Sequence, residues 1–485
     1  MSTAPFKDKT SQTLLLLLTV LPEAIVETML APLIPFMIRS LSTDISPDRI
    51  ESEIGGRSGL LMASFYFPLL VMNILWGTLS DSMGRKGILL AGLFVCTLTT
   101  LMLGINTTSF TVALLCRFIA GVFGGNSTVA KGGLGEIWSD EEGRSWAYSA
   151  YGSLYAISGI CGPVIGGLLV SNPAHTASVA THPYFNTCLF GAILSAVAFL
   201  VAQRYFFEPK ELLFGDVDEH RDVDSSASAF KAENGTFKMI LGVFSANGIQ
   251  HLIVNLMEPV TPKLMFPILL YVLIAFCNMS VVTILPLLFA AEPQYGGLGF
   301  SPLDASFAMT VSAVAELGFQ TIMGQWLVLT LGLNRTYCLG MAVVVPACLL
   351  VGALGGSTSL AGWYGIMLCM VLFGFVNAIA YLSVIMMISD SVPSASLGAA
   401  HGLAATCAAV VRTLSPPLSG WAWSFASTVV RVPVAAFLIT HAVAVFAVVV
   451  VACGGPTMKG SRYHIVEDVE MDLMSETDKE VKMNI

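Results

Sequence analysis

The sequence predicts an all-α membrane protein, with twelve transmembrane helices in two pseudo-symmetric six-helix bundles. Three observations carry this. Of 485 residues, 55% are hydrophobic and 11% charged, with a mean hydropathy of +0.77; a soluble domain carries about 25% charged residues. Twelve apolar stretches approach or exceed the roughly 20 residues that a bilayer core demands. Landmarks of the first six recur in the second six at one fixed spacing.

The stretches lie at 13–38, 58–79, 88–105, 110–132, 146–170, 185–206, 265–290, 303–330, 336–355, 362–388, 397–424 and 432–453. Each is continuous rather than alternating, and longer than the ~10-residue strand of a membrane barrel, so each reads as a helix. Polar residues 1–12 run straight into a span too long for the apolar region of a secretory signal, so the first helix is expected to stay as an anchor. The expected divisions are a cytoplasmic N-terminus at 1–12, a first bundle at 13–207, a cytoplasmic linker at 208–263, a second bundle at 264–453 and an acidic cytoplasmic tail at 454–485. With both termini inside, only Arg39, Arg49, Arg57 and Arg431 fall in outer segments, and Arg117, Lys131 and Arg412 lie within spans or at their ends. The remaining lysines and arginines are cytoplasmic, as the positive-inside rule requires. Trp76, Trp138 and Trp326 then fall near the inner interface, and Trp363, Trp421 and Trp423 near the outer one.

The net charge of −9 is concentrated in the linker and tail. Both read as solvated segments, and no basic patch points to nucleic acid. Residues 237–257 are apolar enough for an amphipathic helix on the inner leaflet. Glu208-Pro209-Lys210-Glu211-Leu212-Leu213 fits either an acidic dileucine sorting pattern or a plain charged helix end. The ten cysteines lie in or at the ends of spans with no Cys-x-x-Cys, so they read as small apolar packers, not as disulfides or a metal site.

The internal repeat rests on two pairs. Leu115-Cys116 with Gly121 recurs as Leu368-Cys369 with Gly374, and Pro163 with Gly167 recurs as Pro416 with Gly420, both displaced by the same number of residues. The copies have diverged. Arg117 aligns with Met370, and the counterpart of the charged Gly77–Lys86 loop is Gly324–Arg335, which has no Asp at the matching position.

Four segments carry more than topology. Gly77-Thr78-Leu79-Ser80-Asp81-Ser82-Met83-Gly84-Arg85-Lys86 joins spans 2 and 3. Arg117 opens a run of small residues to Gly125 in span 4. Glu136 to Arg144 follows it, and Gly159-Ile160-Cys161-Gly162-Pro163-Val164-Ile165-Gly166-Gly167 lies in span 5. In this order they resemble the motifs of the major facilitator superfamily, the last one that of its drug/proton antiporter branch. Within the superfamily, Gly296-Gly297-Leu298-Gly299-Phe300-Ser301 and the stretch Pro209–Leu212 resemble the fungal and plant zinc-induced-facilitator-like group. The resemblance implies the major facilitator fold, parallel six-span repeats around a midplane site, and proton-coupled efflux. The cysteine-bearing loop motif of the plant members is absent, which counts against zinc as substrate.

The residues suggest roles of their own. Asp81 and Arg85, four apart with Gly84 between, can latch a gate by engaging the end of a neighbouring helix or the acidic loop at Asp140, Glu141 and Glu142, with Gly77, Lys86 and Arg144 beside them. The plainer reading is a basic loop that sets topology. Gly162, Pro163, Gly166 and Gly167 give a smooth face on which another helix packs backbone to backbone and rocks. Ionisable groups inside a membrane are expensive and usually functional. Glu23 and Glu27 share one helix face in span 1. Counting from Thr13 puts Glu23 about 15 Å deep, near the midplane. Two carboxylates so close cannot both carry charge cheaply in a low-dielectric cavity, which suits proton coupling. Their alternative is a pair of buried acids satisfied by Arg117 or by Asn and Tyr side chains. Arg117 is the expected partner of one of them. Glu316 with Gln320 one turn on is a second-half substrate contact or a packing group. Asn73, Asn278, Asn377 and Tyr381 line the cavity or serve as helix-packing hydrogen bonds. Arg412 has no sequence-level partner, and His401 reads as interfacial.

The functional expectation is a secondary active transporter exporting a small organic compound (drug-like, metabolite or amine) by proton antiport. The rival within its class is a proton symporter or facilitator; from another class, a non-transporting sensor signalling through its tail. No Gly-x-Ser-x-Gly, His-Glu-x-x-His or phosphate loop occurs, so no enzyme is expected, and no cofactor or metal. Expected partners are the substrate, protons and the bilayer, in a monomer of the plasma or vacuolar membrane. Asn106-Thr107-Thr108 is an outward glycosylation sequon in a loop very close to the membrane.

Overall fold

The computed structural model describes residues 8–42, 46–106, 109–138, 140–170, 183–208, 262–357, 359–392 and 397–454. The stretch Pro209–Leu213, the apolar segment 237–257 and the acidic tail lie outside the described residues. Every regular element among those described is helical.

Span 1 is α1 (Lys9–Leu30) and α2 (Ile34–Ser40). Asp8 caps α1 by accepting the Ser11 N–H at 2.9 Å. The chain passes through Pro22 and tightens to a 3-10 turn at Ala31–Leu33, where Pro32 and Pro35 lack the N–H that a helix needs. α3 (Pro47–Met83) begins well before the expected 58. Its first turns are amphipathic, and Glu53 pairs with Arg49 and Arg57 at 3.0 and 2.6 Å, each four residues away. After α4 (Arg85–Ile105), span 4 is two helices, α5 (Phe110–Phe123) and α6 (Asn126–Ile137). They part at Gly124-Gly125, where the backbone passes so close to α3 that a Cβ on Gly125 would stand 2.5 Å from the Trp76 ring. α7 (Glu141–Leu169) and α8 (Phe185–Tyr205) complete the half.

The second half runs α9 (Pro262–Ala290), α10 (Pro302–Ile322), α11 (Gly324–Leu331), α12 (Leu333–Leu354), α13 (Leu360–Asp390), α14 (Leu397–Phe425) and α15 (Leu438–Gly454). Among the described residues, ten of the twelve expected spans are long and apolar enough to cross a membrane unaided. Spans 8 and 11 form the helices α10 with α11, and α14; they carry Asp304, Glu316 and Gln320, and His401 and Arg412.

Packing repeats between the halves. α1 packs on α7 and α8 as α9 packs on α14 and α15; α3 on α5 as α10 on α13; α4 on α8 as α12 on α15. The halves meet along α3 with α14 and along α7 with α10. At the end remote from Gly84 this seam is tight. A Cβ on Gly55 would stand 2.0 Å from the Gly420 carbonyl oxygen, and one on Gly59 2.2 Å from that of Pro416. Ser424 Oγ accepts the Gly55 N–H at 3.1 Å, and Tyr295 donates to Asp48 across the seam. Toward Gly84 the same helices diverge: a Cβ on Gly152, Gly318 or Gly402 would meet nothing within 4 Å. Among the described residues the halves are thus in backbone contact at the end remote from Gly84, with open space beside these glycines toward it.

The outer surface is greasy, with Phe94, Leu200 and Phe446 each more than half exposed, as lipid contact requires. One aromatic expectation fails. Trp421 is exposed as an interface residue should be, but Trp423 is fully buried in the core. Two residues along a helix turn the side chain by about 200°, so a shared position in sequence gave opposite faces.

Candidate functional site

An internal cavity of about 30 Å³, room for one or two waters, lies inside the first half between α1, α3, α4 and α5. Glu23, Glu27, Arg117, Phe65 and Asn126 line it. Asn126, at the start of α6, donates to the carbonyls of Thr19 and Leu89 at 3.2 and 3.3 Å and so ties three helices together. Glu27 accepts a hydrogen bond from the Tyr66 hydroxyl of α3. Glu23 has no hydrogen-bond or ion-pair partner among the described residues. Its charged neighbours are Glu27 and Lys131 of α6.

Arg117 shares the cavity wall with both span 1 glutamates. It forms no ion pair within 4 Å among the described residues. Its guanidinium lies over the Phe65 ring at 4.6 Å, with Glu27 as the nearest acidic influence, and its buried Nε has no hydrogen-bond partner. The ring face supplies part of the lost solvation.

The second half holds a matching cavity of about 30 Å³, lined by Asn278, Asn377, Ser312, Met309 and Phe373 among others, between α9, α10, α12 and α13. Where the first cavity has carboxylates and a guanidinium, this one has amides. Asn278 donates to Asn377 at 3.0 Å, and Asn377 in turn faces Glu316 at 3.4 Å. Gln320 is exposed one turn on.

Between the two cavities the opening carries polar groups from both halves. Arg412 of α14 has Tyr381, Tyr271, Tyr66 and Glu27 as its close electrostatic neighbours. Tyr271 and Tyr381 pack edge to face at 5.8 Å. Lys131 lies over the Tyr151 ring at 5.2 Å, and Tyr151 shares a 2.6 Å hydrogen bond with Ser127. Lys131 is exposed, with Arg412 and Glu23 as its charged neighbours.

The model of the Major Facilitator Superfamily matches residues 16–297, more than half the chain. The chain belongs to the major facilitator superfamily. "Protein ZINC INDUCED FACILITATOR 1" of Arabidopsis thaliana is 24% identical over 81% of this chain and 81% of its own length. The "Major facilitator superfamily multidrug transporter mfsB" of Aspergillus fumigatus is 23% identical, over 76% of this chain and 72% of its own. Among solved structures, the human organic anion transporter MFSD10 superposes with a TM-score of 0.59 at 16% identity, covering 93% of this chain and all of that one. The chain is a multi-pass membrane transporter of this superfamily and not an enzyme.

Of the superfamily-like segments, the loop after span 2 is tied to its own half. Arg85 holds Glu136 at the end of α6 through two 2.8 Å contacts and donates to the Val129 carbonyl at 3.0 Å. In the acidic loop, Asp140 caps α7 by accepting the Gly143 N–H at 2.7 Å. The side chains of Asp81, Glu141 and Glu142 lie outside the described residues. Arg144 is exposed, with Nε 3.4 Å from the Trp138 carbonyl. The Glu208 carboxylate accepts the N–H groups of Arg85 and Lys86 at 3.0 and 2.8 Å, capping α4. Glu208 is thus a helix-end group, and the sequence offered no reason to pair it with residues far upstream. Gly84 takes φ +97°, and Gly332 of the second half takes φ +78°. The turn persists in both repeats while the charges survive in one.

The span 5 glycines face two helices. A Cβ on Gly162 or Gly166 would stand 2.1 Å from Thr28 or 2.6 Å from Met29 of α1, and one on Gly167 2.7 Å from Ser306 of α10. Thr28 seals the first contact by donating to the Ser158 carbonyl at 2.8 Å. Gly77 is loosely placed, 3.7 Å from Thr128 by the same measure. Asn73 accepts from Thr128 at 3.0 Å, a helix-packing bond. His401 is hydrogen-bonded to Ser389 at 3.0 Å. Asn106 bonds the Ser109 backbone on both sides in a tight turn. The described cysteines are all free. Sequence reasoning missed Lys131, Tyr66, Tyr151 and Tyr271, and left Arg412 without a partner. A Lys and an Arg in otherwise apolar spans were the available signal.

Proposed function

We propose that this chain is an exporter of a small organic compound, driven by proton antiport and alternating access between its two six-helix halves, 13–207 and 264–453. One observation carries the reading: Glu23 lies near the middle of α1 on the cavity wall, beside the space between the halves, with no partner among the described residues. A carboxyl left unsatisfied in a membrane interior is costly, and exchange of a proton for substrate relieves that cost. Glu27, held by Tyr66, and Arg117 tune the exchange. Kinship with a protein named as a multidrug transporter supports the direction of transport.

On this reading both termini are cytoplasmic, so the opening at the Gly84 end faces the cytoplasm. The seam of Gly55, Gly59, Pro416 and Gly420 closes the outer side. The Gly162–Gly167 face of α7 rocks on α1 and α10, and the Arg85–Glu136 pair keeps the inner end of the first half rigid as it moves. The test is transport in proteoliposomes under an imposed pH gradient. Glu23→Gln abolishes pH-driven flux while leaving insertion and melting temperature intact; undiminished flux removes Glu23 from the mechanism.

A further inference from the structure

We infer that the groove between α3 and α14, at the end of the seam remote from Gly84, binds one phospholipid, its phosphate on Arg57 and an acyl chain along Leu60 and Leu418. A cavity of about 520 Å³ lies there, within the ~300–1,000 Å³ usual for a small-molecule site. Its polar wall is Glu53 and Arg57 of α3. Its apolar wall is Leu60 with Leu418 and Trp421 of α14, and Gly56 lies between the two. The apolar residues face outward: Leu60 is 48%, Leu418 47% and Trp421 75% exposed. The recess exists because Gly56 has no side chain; a Cβ there would stand 3.2 Å from the Trp421 ring. The backbone contacts of Gly55 and Gly59 with Gly420 and Pro416 run alongside it.

Depth and charge both match a phospholipid. Arg57 immediately precedes the apolar stretch 58–79, so its guanidinium stands at the boundary where lipid phosphates lie. The exposed indole of Trp421 is at the same level, as an interface anchor should be. Leu60 lies about one helical turn deeper, inside the hydrocarbon. Arg57 spends one N–H on Glu53 at 2.6 Å and one on Ser42 at 3.1 Å. A guanidinium has further donors than these, in a fork that suits a phosphate. Arg49 pairs with the same Glu53 at 3.0 Å, so two cations share one carboxylate and the rim keeps positive charge for an anionic group. A free phosphate would leave the apolar wall uncovered, whereas an acyl chain covers it. The two walls belong to different halves of the protein. The site therefore comes apart when this end opens, and its occupant favours the closed state.

The test follows Trp421 fluorescence in the full chain in detergent, taken as the difference between the parent and Trp421→Phe. Phosphatidylcholine brominated on its acyl chains is added as a minor fraction of the micelle. The expected result is quenching that saturates at one lipid per chain. Arg57→Gln raises the half-saturating fraction about tenfold, as loss of one charge-assisted hydrogen bond implies. Gly56→Leu, which fills the groove, abolishes the saturable part. Ser42→Ala, which removes only the brace on Arg57, leaves it unchanged. Quenching that never saturates, or that a brominated fatty acid produces equally, means bulk partitioning and overturns the inference. Quenching relieved by inorganic phosphate means a free-anion site and overturns it too.

Discussion

The tight seam between the halves gives the sharpest expectation. Gly55→Ala places a Cβ 2.0 Å from the Gly420 carbonyl oxygen, against about 3.5 Å for a relaxed contact, so α3 and α14 must separate by roughly 1.5 Å. The obstacle is backbone, which no rotamer change can move aside. Overpacking of this kind costs about 1–3 kcal/mol. It falls only on the state in which this end is closed, because once the halves part there is nothing to strike. The equilibrium between access states should therefore shift by about 5- to 150-fold toward opening of that end. Spin labels placed on α3 and α14 near this end, read by double electron–electron resonance in a cysteine-free background, should show a longer distance population, and turnover should fall. Gly402→Ala on the same α14 is the control, since its Cβ would meet nothing within 4 Å. If Gly55→Ala leaves both the distances and the turnover as in the parent, the seam is not a working gate.

Three further expectations follow from the loops. Glu136→Gln removes the charge that holds Arg85, whose side chain is 5% exposed; a loss of about 2 kcal/mol, seen as a lower melting temperature, is expected for a charged hydrogen-bonded group, and an unchanged melt would make the pair ornamental. Gly84→Ala and Gly332→Ala both force a side chain into positive φ at a cost of about 1–3 kcal/mol, but only at Gly84 would the Cβ also meet a carboxylate, that of Glu208 at 2.8 Å. Gly84→Ala should be the more destabilising of the two, and Glu208→Ala should remove the excess; equal effects would show that Glu208 does not brace the turn. The Asp140 carboxyl is held below its ordinary 3.8 by the Gly143 N–H it accepts. Its contribution to the start of α7 is present above that ordinary value and fades as pH falls through the lowered one. Slow exchange of the Gly143 amide should fade with it, and Asp140→Asn should flatten the dependence.

Much of the site was legible because a charge inside an apolar run is conspicuous. Glu23, Glu27, Arg117, Glu316 and Asn377 all line or adjoin the two cavities. Their partners were not legible. Arg117 was matched to a span 1 glutamate by charge and depth, and Glu27 is its nearest acidic influence, but the contact on the face of Phe65 had no sequence mark. Arg85 had two sequence-level options, the end of a neighbouring helix or the acidic loop, and the fold gives it Glu136 at the end of α6, while Asp140 caps α7.

The sequence by itself determined the spans, their helical character and the repeat, since burial in lipid leaves a backbone few alternatives and long apolar runs announce themselves. It also limited where backbones can touch, because only glycine permits approaches such as Gly55 to Gly420. What the tertiary structure alone decided is which end of the seam is closed and which groups share the opening. Lys131 and Arg412 lie far apart in the chain, and no periodicity links them. Only the packing of α3 on α14 and of α7 on α10 brings the two cations into each other's field.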